Sequence, residues 1–146
     1  MIRPARADER SLLIGLQREA SLMWEEDRDA LLAEPDAIDL PADQIAEGHV
    51  FVFEGEGAVV GFLVILPRAD GAAELDGLFT APDRWGQGIG RALVEHAMAV
   101  ARQRDCVSLN VVANKRALGF YLKCGFQALG EVETRFSAGV RMVRTL

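Results

Sequence analysis

The sequence is short of the residues that mark several large classes of protein. It contains two cysteines, two histidines and a single tyrosine. Cys106 and Cys124 lie far apart and form no C-x-x-C pair, and neither histidine stands at metal-ligand spacing with them. The thiols are therefore expected buried and reduced, and no metal site is expected. His49 and His96 are read as structural residues. Long apolar runs are also missing. The longest, Ala58 to Leu66, is interrupted by Gly61 and is too short for a bilayer, so no membrane partner is expected. The first residues carry Arg3, Arg6, Asp8, Glu9 and Arg10 around no apolar segment, so no secretory signal is visible and a cytoplasmic location is expected. A net charge of −6 argues against a nucleic-acid partner.

What is present is an ordinary globular balance, with 50% hydrophobic and 26% charged residues. At 146 residues the chain suits one domain, 1–146, with a real core. The charge is unevenly spread. Residues 1–80 carry a net −11 and residues 81–146 a net +5. A basic second half suits an anionic ligand, and an acidic first half suits a cationic one or simply solubility.

The basic half begins at the most informative stretch, residues 76–93. An apolar run ends at Thr80 and Pro82 breaks it. Gly86, Gly88 and Gly90 alternate, and a helical pattern starts at Ile89 with no acidic residue in its first turn. A strand, a glycine loop and an open helix N-terminus make a site for a phosphorylated ligand. The first helical N–H groups lack partners, the dipole is positive there, and glycines admit close backbone approach. The nucleotide P-loop is excluded, because Gly90 is followed by Arg91 and Ala92 where Lys and Ser or Thr are needed. The dinucleotide fingerprint is excluded too, because its third glycine would fall at Arg91.

Around this stretch the pattern reads as mixed α/β. Ile2 to Ala5 is a short strand, with Pro4 tolerable at an edge. A helix capped by Asp8 runs to about Ala20, and a second amphipathic piece spans about Trp24 to Ala33. Glu34 to Gly48 reads as loop with one short helical turn at Asp43 to Glu47. Strands follow at His49 to Glu54 and Ala58 to Leu66, joined by the hairpin signal Gly55-Glu56-Gly57. After a turn at Arg68 to Ala72, the strand Ala73 to Thr80 delivers the glycine loop. The next helix ends near Arg104, Val107 to Val112 is a strand, and Lys115 to Cys124 is a helix closed by Gly125. Two strands, about Phe126 to Arg135 and Val140 to Leu146, meet through Ser137-Ala138-Gly139.

Two stretches carry a family resemblance. The loop resembles the acyl-CoA loop of the GNAT superfamily, the GCN5-related N-acetyltransferases. Gly88 and Gly90 match, while Trp85 stands at the usual Gln or Arg position. Residues 114–126 resemble the second hallmark, with Asn114, Ala117, Phe120, Tyr121, Gly125 and Phe126 all in place. The element order also matches, over nearly the whole chain. The resemblance implies one α/β domain, with a mixed, mostly antiparallel sheet of about seven strands, about four helices and splayed central parallel strands. It implies acetyl-CoA as acyl donor. The loop Gly86, Gln87, Gly88, Ile89, Gly90 and Arg91 would hold its pyrophosphate, and the backbone of Leu78, Phe79 and Thr80 would align the pantetheine. Asn114 would contact the same molecule, and Tyr121 would donate a proton or hydrogen bond to the departing thiolate. The activity implied is N-acetyl transfer to a primary amine, by direct transfer in a ternary complex.

The attacking amine must lose a proton. The glutamate that many family members place five residues before the asparagine is Leu109 here. Glu74 and Asp76 alternate onto one strand face with Leu78 and Thr80, so Asp76 or Glu74 is expected to be the base or to position water. Trp24 and Phe136 are candidates for the acceptor pocket. The rival reading is a non-catalytic acyl-CoA-binding sensor or protein-interaction module. The family pattern also admits a homodimer through the last strands.

Overall fold

Proline and glycine set the limits of the first elements. The computed structural model describes residues 1–23, 40–133 and 138–146. The expected amphipathic piece from Trp24 to Ala33 lies outside them, as does Phe136. Strand β1 (Ile2–Pro4) pairs antiparallel with β2 (Val50–Gly55) and stands at the edge of the sheet, where the missing N–H of Pro4 costs nothing. The hairpin between β2 and β3 (Ala58–Pro67) turns on Glu56 at φ 54° and Gly57 at φ 80°. Positive φ at both positions matches the twist of the flanking strands.

Two compact units make up the chain, Met1–Val64 with Gly77–Leu93 and Ile65–Asp76 with Val94–Leu146. In the first, helix α1 (Arg10–Leu22) follows a 3-10 turn at Ala7–Glu9 and buries Leu13, Leu16 and Ala20 at helical spacing. Asp8 is not its cap, as the sequence suggested, because it lies inside the turn. Glu9 satisfies the open end instead, accepting the Arg6 N–H at 2.8 Å. Its carboxylate also takes a two-pronged contact from the Arg3 guanidinium at 2.9 and 2.8 Å. That contact is the main reason the Glu9 carboxyl is held down at about 2. A short helix α2 (Ala42–Ala46) follows, and Val50, Val52, Phe62, Leu63, Ile89 and Leu93 fill the core of this unit.

In the second unit, the end of β3 passes through the turn at Arg68–Ala72 into β4 (Ala73–Thr80). Helix α3 (Ile89–Gln103), β5 (Ser108–Asn114), helix α4 (Leu118–Lys123), β6 (Gln127–Glu133) and β7 (Ala138–Thr145) complete the chain. Leu118 begins the α-helix because residues 115–117 form a 3-10 turn first. Ala138 and Gly139, expected in the final turn, are already paired in β7. The buried residues of this unit include Ile65, Leu75, Met98, Leu109, Val111, Phe126 and Met142.

The seven strands form one mixed sheet in the order β1-β2-β3-β4-β5-β7-β6. β5 pairs antiparallel with β7 over its full length, from Ser108↔Thr145 to Asn114↔Gly139. Its parallel ladder with β4 has two pairs, Ala73↔Leu109 and Glu74↔Asn110. Among the described residues no helix is long and apolar enough to cross a membrane.

Candidate active site

The glycine loop belongs to the first unit. The Ala81 N–H donates to the Val60 carbonyl at 2.8 Å, and a 3-10 turn at Pro82–Arg84 leads the chain out of β4. Trp85 is 41% exposed, with its indole N–H donating to the Thr80 carbonyl at 2.9 Å. Gly86 and Gly88 follow at φ 83° and 82°, a backbone region that side chains rarely enter. A Cβ at either would meet nothing within 4 Å, so these glycines serve backbone conformation and leave open space beside the loop.

Helix α3 starts where Ala92 donates to the Gly88 carbonyl at 3.0 Å. The N–H groups of Ile89, Gly90 and Arg91 have no carbonyl one turn earlier in the helix, and no acidic residue occupies the first turn. The result is a row of donors at the positive end of a 15-residue helix. Gly61 on β3 seats that helix. A Cβ there would stand 3.0 Å from the Phe79 carbonyl oxygen and 3.2 Å from both Ile89 Cγ2 and Leu93 Cδ1. Leu78, Phe79 and Thr80 are half-exposed, and the Phe79 ring packs on Phe62 at 5.3 Å between centroids.

Tyr121 belongs to the second unit and is fixed by the way α4 ends. Gly125 takes φ 93°, its N–H donates to the Leu122 carbonyl, and the Phe126 N–H donates to the Tyr121 carbonyl, both at 3.1 Å. This is a Schellman closure, in which the residue after the glycine packs on the residue five before it. Here those two residues are Phe126 and Tyr121, whose rings meet edge to face at 5.4 Å. Phe120 also meets the Tyr121 ring edge to face, at 5.0 Å. The Tyr-x-x-x-Gly-Phe spacing is thus a helix cap that holds a tyrosine ring.

Tyr121 is 6% exposed, and burial raises its hydroxyl above the ordinary phenol range. Among the described residues that hydroxyl has no protein hydrogen-bond partner, and its oxygen is not sealed from solvent. Arg144 of β7 completes the cap, donating to the Cys124 carbonyl at 3.0 Å and to Glu95 at 2.9 Å. Asn114 caps the turn before α4, its Oδ1 accepting the Ala117 N–H at 2.9 Å.

Glu74 and Asp76 also lie in this unit, on the β4 face opposite the buried Ala73 and Leu75. Glu74 contacts Arg68 at 3.4 Å, and its pKa is raised by burial, with Arg68 and Arg141 working the other way. Asp76 makes no ion pair among the described residues. It is exposed, and partial desolvation of its carboxyl is the cause that raises its pKa. The sequence reading missed Arg144 and a buried polar residue of β5, Asn110. The signal for Asn110 was there, a carboxamide in the middle of an apolar strand.

Residues 16–126 match the profile of the Acetyltransferase (GNAT) family. The chain belongs to this family. Among curated relatives, it is 36% identical over 97 residues to the peptidyl-lysine N-acetyltransferase YjaB of Salmonella typhimurium, covering 65% of this chain and 61% of that protein. It is also 36% identical over 87 residues to the 5-NmdU N-acetyltransferase of Pseudomonas phage PaMx11, covering 58% of this chain and 61% of that protein. These alignments span about three fifths of each relative's length. The GNAT fold is shared with the PaiA N-acetyltransferase of Thermoplasma acidophilum, solved in complex with coenzyme A. That match has a TM-score of 0.82 at 17% identity and covers 100% of this chain and 98% of that one. The ribosomal-protein-alanine N-acetyltransferase of Brucella melitensis gives 0.76 at 23% identity, covering 100% and 99%.

Proposed function

We propose that this chain is an acyl-CoA-dependent N-acetyltransferase, moving an acetyl group from acetyl-CoA to a primary amine by direct transfer, with residues 1–146 acting as one domain. The observation that carries this reading is Tyr121, a buried tyrosine whose hydroxyl has no hydrogen-bond partner among the described residues, in a chain of this family. The names of the curated relatives support a primary amine such as a lysine side chain as acceptor. The cytoplasm, where such acceptors meet acetyl-CoA, is the location we assign. The edge strand β6 is the surface we assign to a homodimer.

In this reading the N–H groups of Gly86, Gln87, Gly88, Ile89, Gly90 and Arg91 receive the pyrophosphate. The backbone of Leu78, Phe79 and Thr80 aligns the pantetheine. Asn114 has committed its Oδ1 to Ala117, so it offers Nδ2 as a donor. Asp76 takes the proton from the amine directly or through water. A C–N bond forms, the C–S bond breaks and the thiolate leaves. Tyr121 assists by hydrogen bonding. A phenol raised above its usual pKa of about 10 loses its proton reluctantly to a thiolate of pKa about 8.5, so stabilisation without full transfer is the favoured role. Between the two carboxylates we choose Asp76, since Arg68 and Arg141 both act on Glu74.

Calorimetric titration with acetyl-CoA tests the reading. The parent and Tyr121→Phe should bind and Gly88→Trp should not, and a parent that does not bind would end it. A pH–rate profile then tests the base. A raised Asp76 carboxyl puts the acidic limb above the ordinary aspartate value, with activity rising as the group deprotonates. Asp76→Asn should remove that limb and lower kcat at least about 100-fold, and Glu74→Gln should keep the limb.

A further inference from the structure

Asn110 is 8% exposed and sits where the parallel ladder between β4 and β5 stops. Its Nδ2 donates across the strands to the Ala73 carbonyl at 3.3 Å and along its own strand to Ser108 Oγ at 3.1 Å. Only an N–H can face a carbonyl oxygen, so the amide is oriented with Oδ1 turned away from Ala73. That oxygen makes no hydrogen bond among the described residues and is not sealed from solvent. An acceptor in a residue this buried, with no donor among the described residues, is open to a donor from outside, water or ligand.

The neighbours indicate which donor. Glu74 is the register partner of Asn110 in the parallel ladder, so their side chains leave the same face about 5 Å apart at the backbone. Asp76 follows on that face about 7 Å further along the strand. One face therefore gathers an amide oxygen and two carboxylates; Arg68 and Arg141 offset the charge of Glu74, which leaves Asp76 and the Asn110 oxygen as the acceptors without a protein partner among the described residues. An ammonium or amine carries several N–H donors converging on one small nitrogen, and acceptors grouped in this way match it.

Resting on the acetyltransferase reading above, we propose that Asn110 is an acceptor-binding residue. Its Oδ1 takes a hydrogen bond from the amino group of the substrate while Nδ2 holds the end of the β4–β5 ladder, so the amine is gripped by Asn110 and Asp76 together. The residue selects primary amines, whose extra N–H can reach Oδ1 after Asp76 has engaged another.

Steady-state kinetics with cadaverine and Nα-acetyl-lysine methylamide, varied separately from acetyl-CoA, test this with two variants. Asn110→Ala should raise KM for the amine about tenfold and leave KM for acetyl-CoA unchanged. Asn110→Asp keeps an oxygen and loses the donor to Ala73, so it should bind the amine as tightly as the parent or more tightly. It decides the question alone if Asn110→Ala does not fold. A rise in KM for acetyl-CoA would overturn the proposal by making Oδ1 a contact for a pantetheine amide. Equal damage to amine binding in both variants would overturn it by leaving only the strand clamp. A parent that binds no acetyl-CoA by calorimetry removes the parent reading and this inference with it. A turning-over parent with an indifferent Asn110→Ala removes the inference alone.

Discussion

Helices α3 and α4 end in the same backbone motif built from different residues. At α4 the left-handed position is Gly125 at φ 93°, and at α3 it is Asp105 at φ 57°. Both close with the same pair of bonds. Cys106 donates to the Ala101 carbonyl and Asp105 to the Arg102 carbonyl, as Phe126 and Gly125 do to Tyr121 and Leu122. The apolar contact that accompanies the motif differs. At α4 the two positions that make this contact hold aromatic rings, and at α3 the equivalent positions hold Cys106 and Ala101. Arg144 covers the carbonyl of Cys124, the residue that caps α4. The end of α3 instead lines a cleft of about 200 Å³ with Arg68, Ala73 and Cys106. Backbone geometry alone therefore does not say what a helix end is for. The side chains loaded onto it do, and of these two ends it is that of α4 which carries the tyrosine we propose assists transfer.

Four changes test that contrast. Phe126→Ala removes a side chain that is 3% exposed and the partner of Tyr121, and should cost about 3–5 kcal/mol in denaturant unfolding, with kcat falling further than stability explains. Cys106→Ala at the equivalent position of α3 should do neither. Gly125→Ala forces a Cβ into a left-handed position 3.4 Å from Arg144 Nε, for a loss of about 1–2 kcal/mol. Asp105→Gly relieves the same strain at α3 and should raise stability by up to about 1 kcal/mol, leaving the proposed acetyl transfer untouched. Similar responses at the two ends would mean that the aromatic closure of α4 has no special role.

Much of this was legible in the sequence because its signals are local. The strand, glycine loop and helix from Ala73 to Gln103 follow from period-2 and period-3.6 patterns separated by glycines. The Tyr-x-x-x-Gly-Phe spacing encodes its own cap. What escaped were matters of partner choice. Asp8 reads as the cap on paper, and Arg3, brought alongside by the first strand, holds the Glu9 carboxylate at that end instead. Glu74 and Asp76 are equivalent by alternation, and Arg68, across a turn, separates them. Asn110 reads as an interruption in an apolar strand until the Ala73 carbonyl across the ladder fixes which way its amide points.

The missing side chain of Gly61 has a consequence for how function and mutation are connected in this chain. The height at which α3 rests above its strand is set by an absent carbon, so Gly61 acts as a gauge for the amides at the end of the helix. Alanine there would lift the first turn by a few tenths of an ångström, or push Phe79 aside, without touching the glycine loop. A scan for weakened acyl-donor binding should therefore register a hit in the middle of a hydrophobic strand, remote in sequence from every recognised motif, where a search guided by motifs alone would not look.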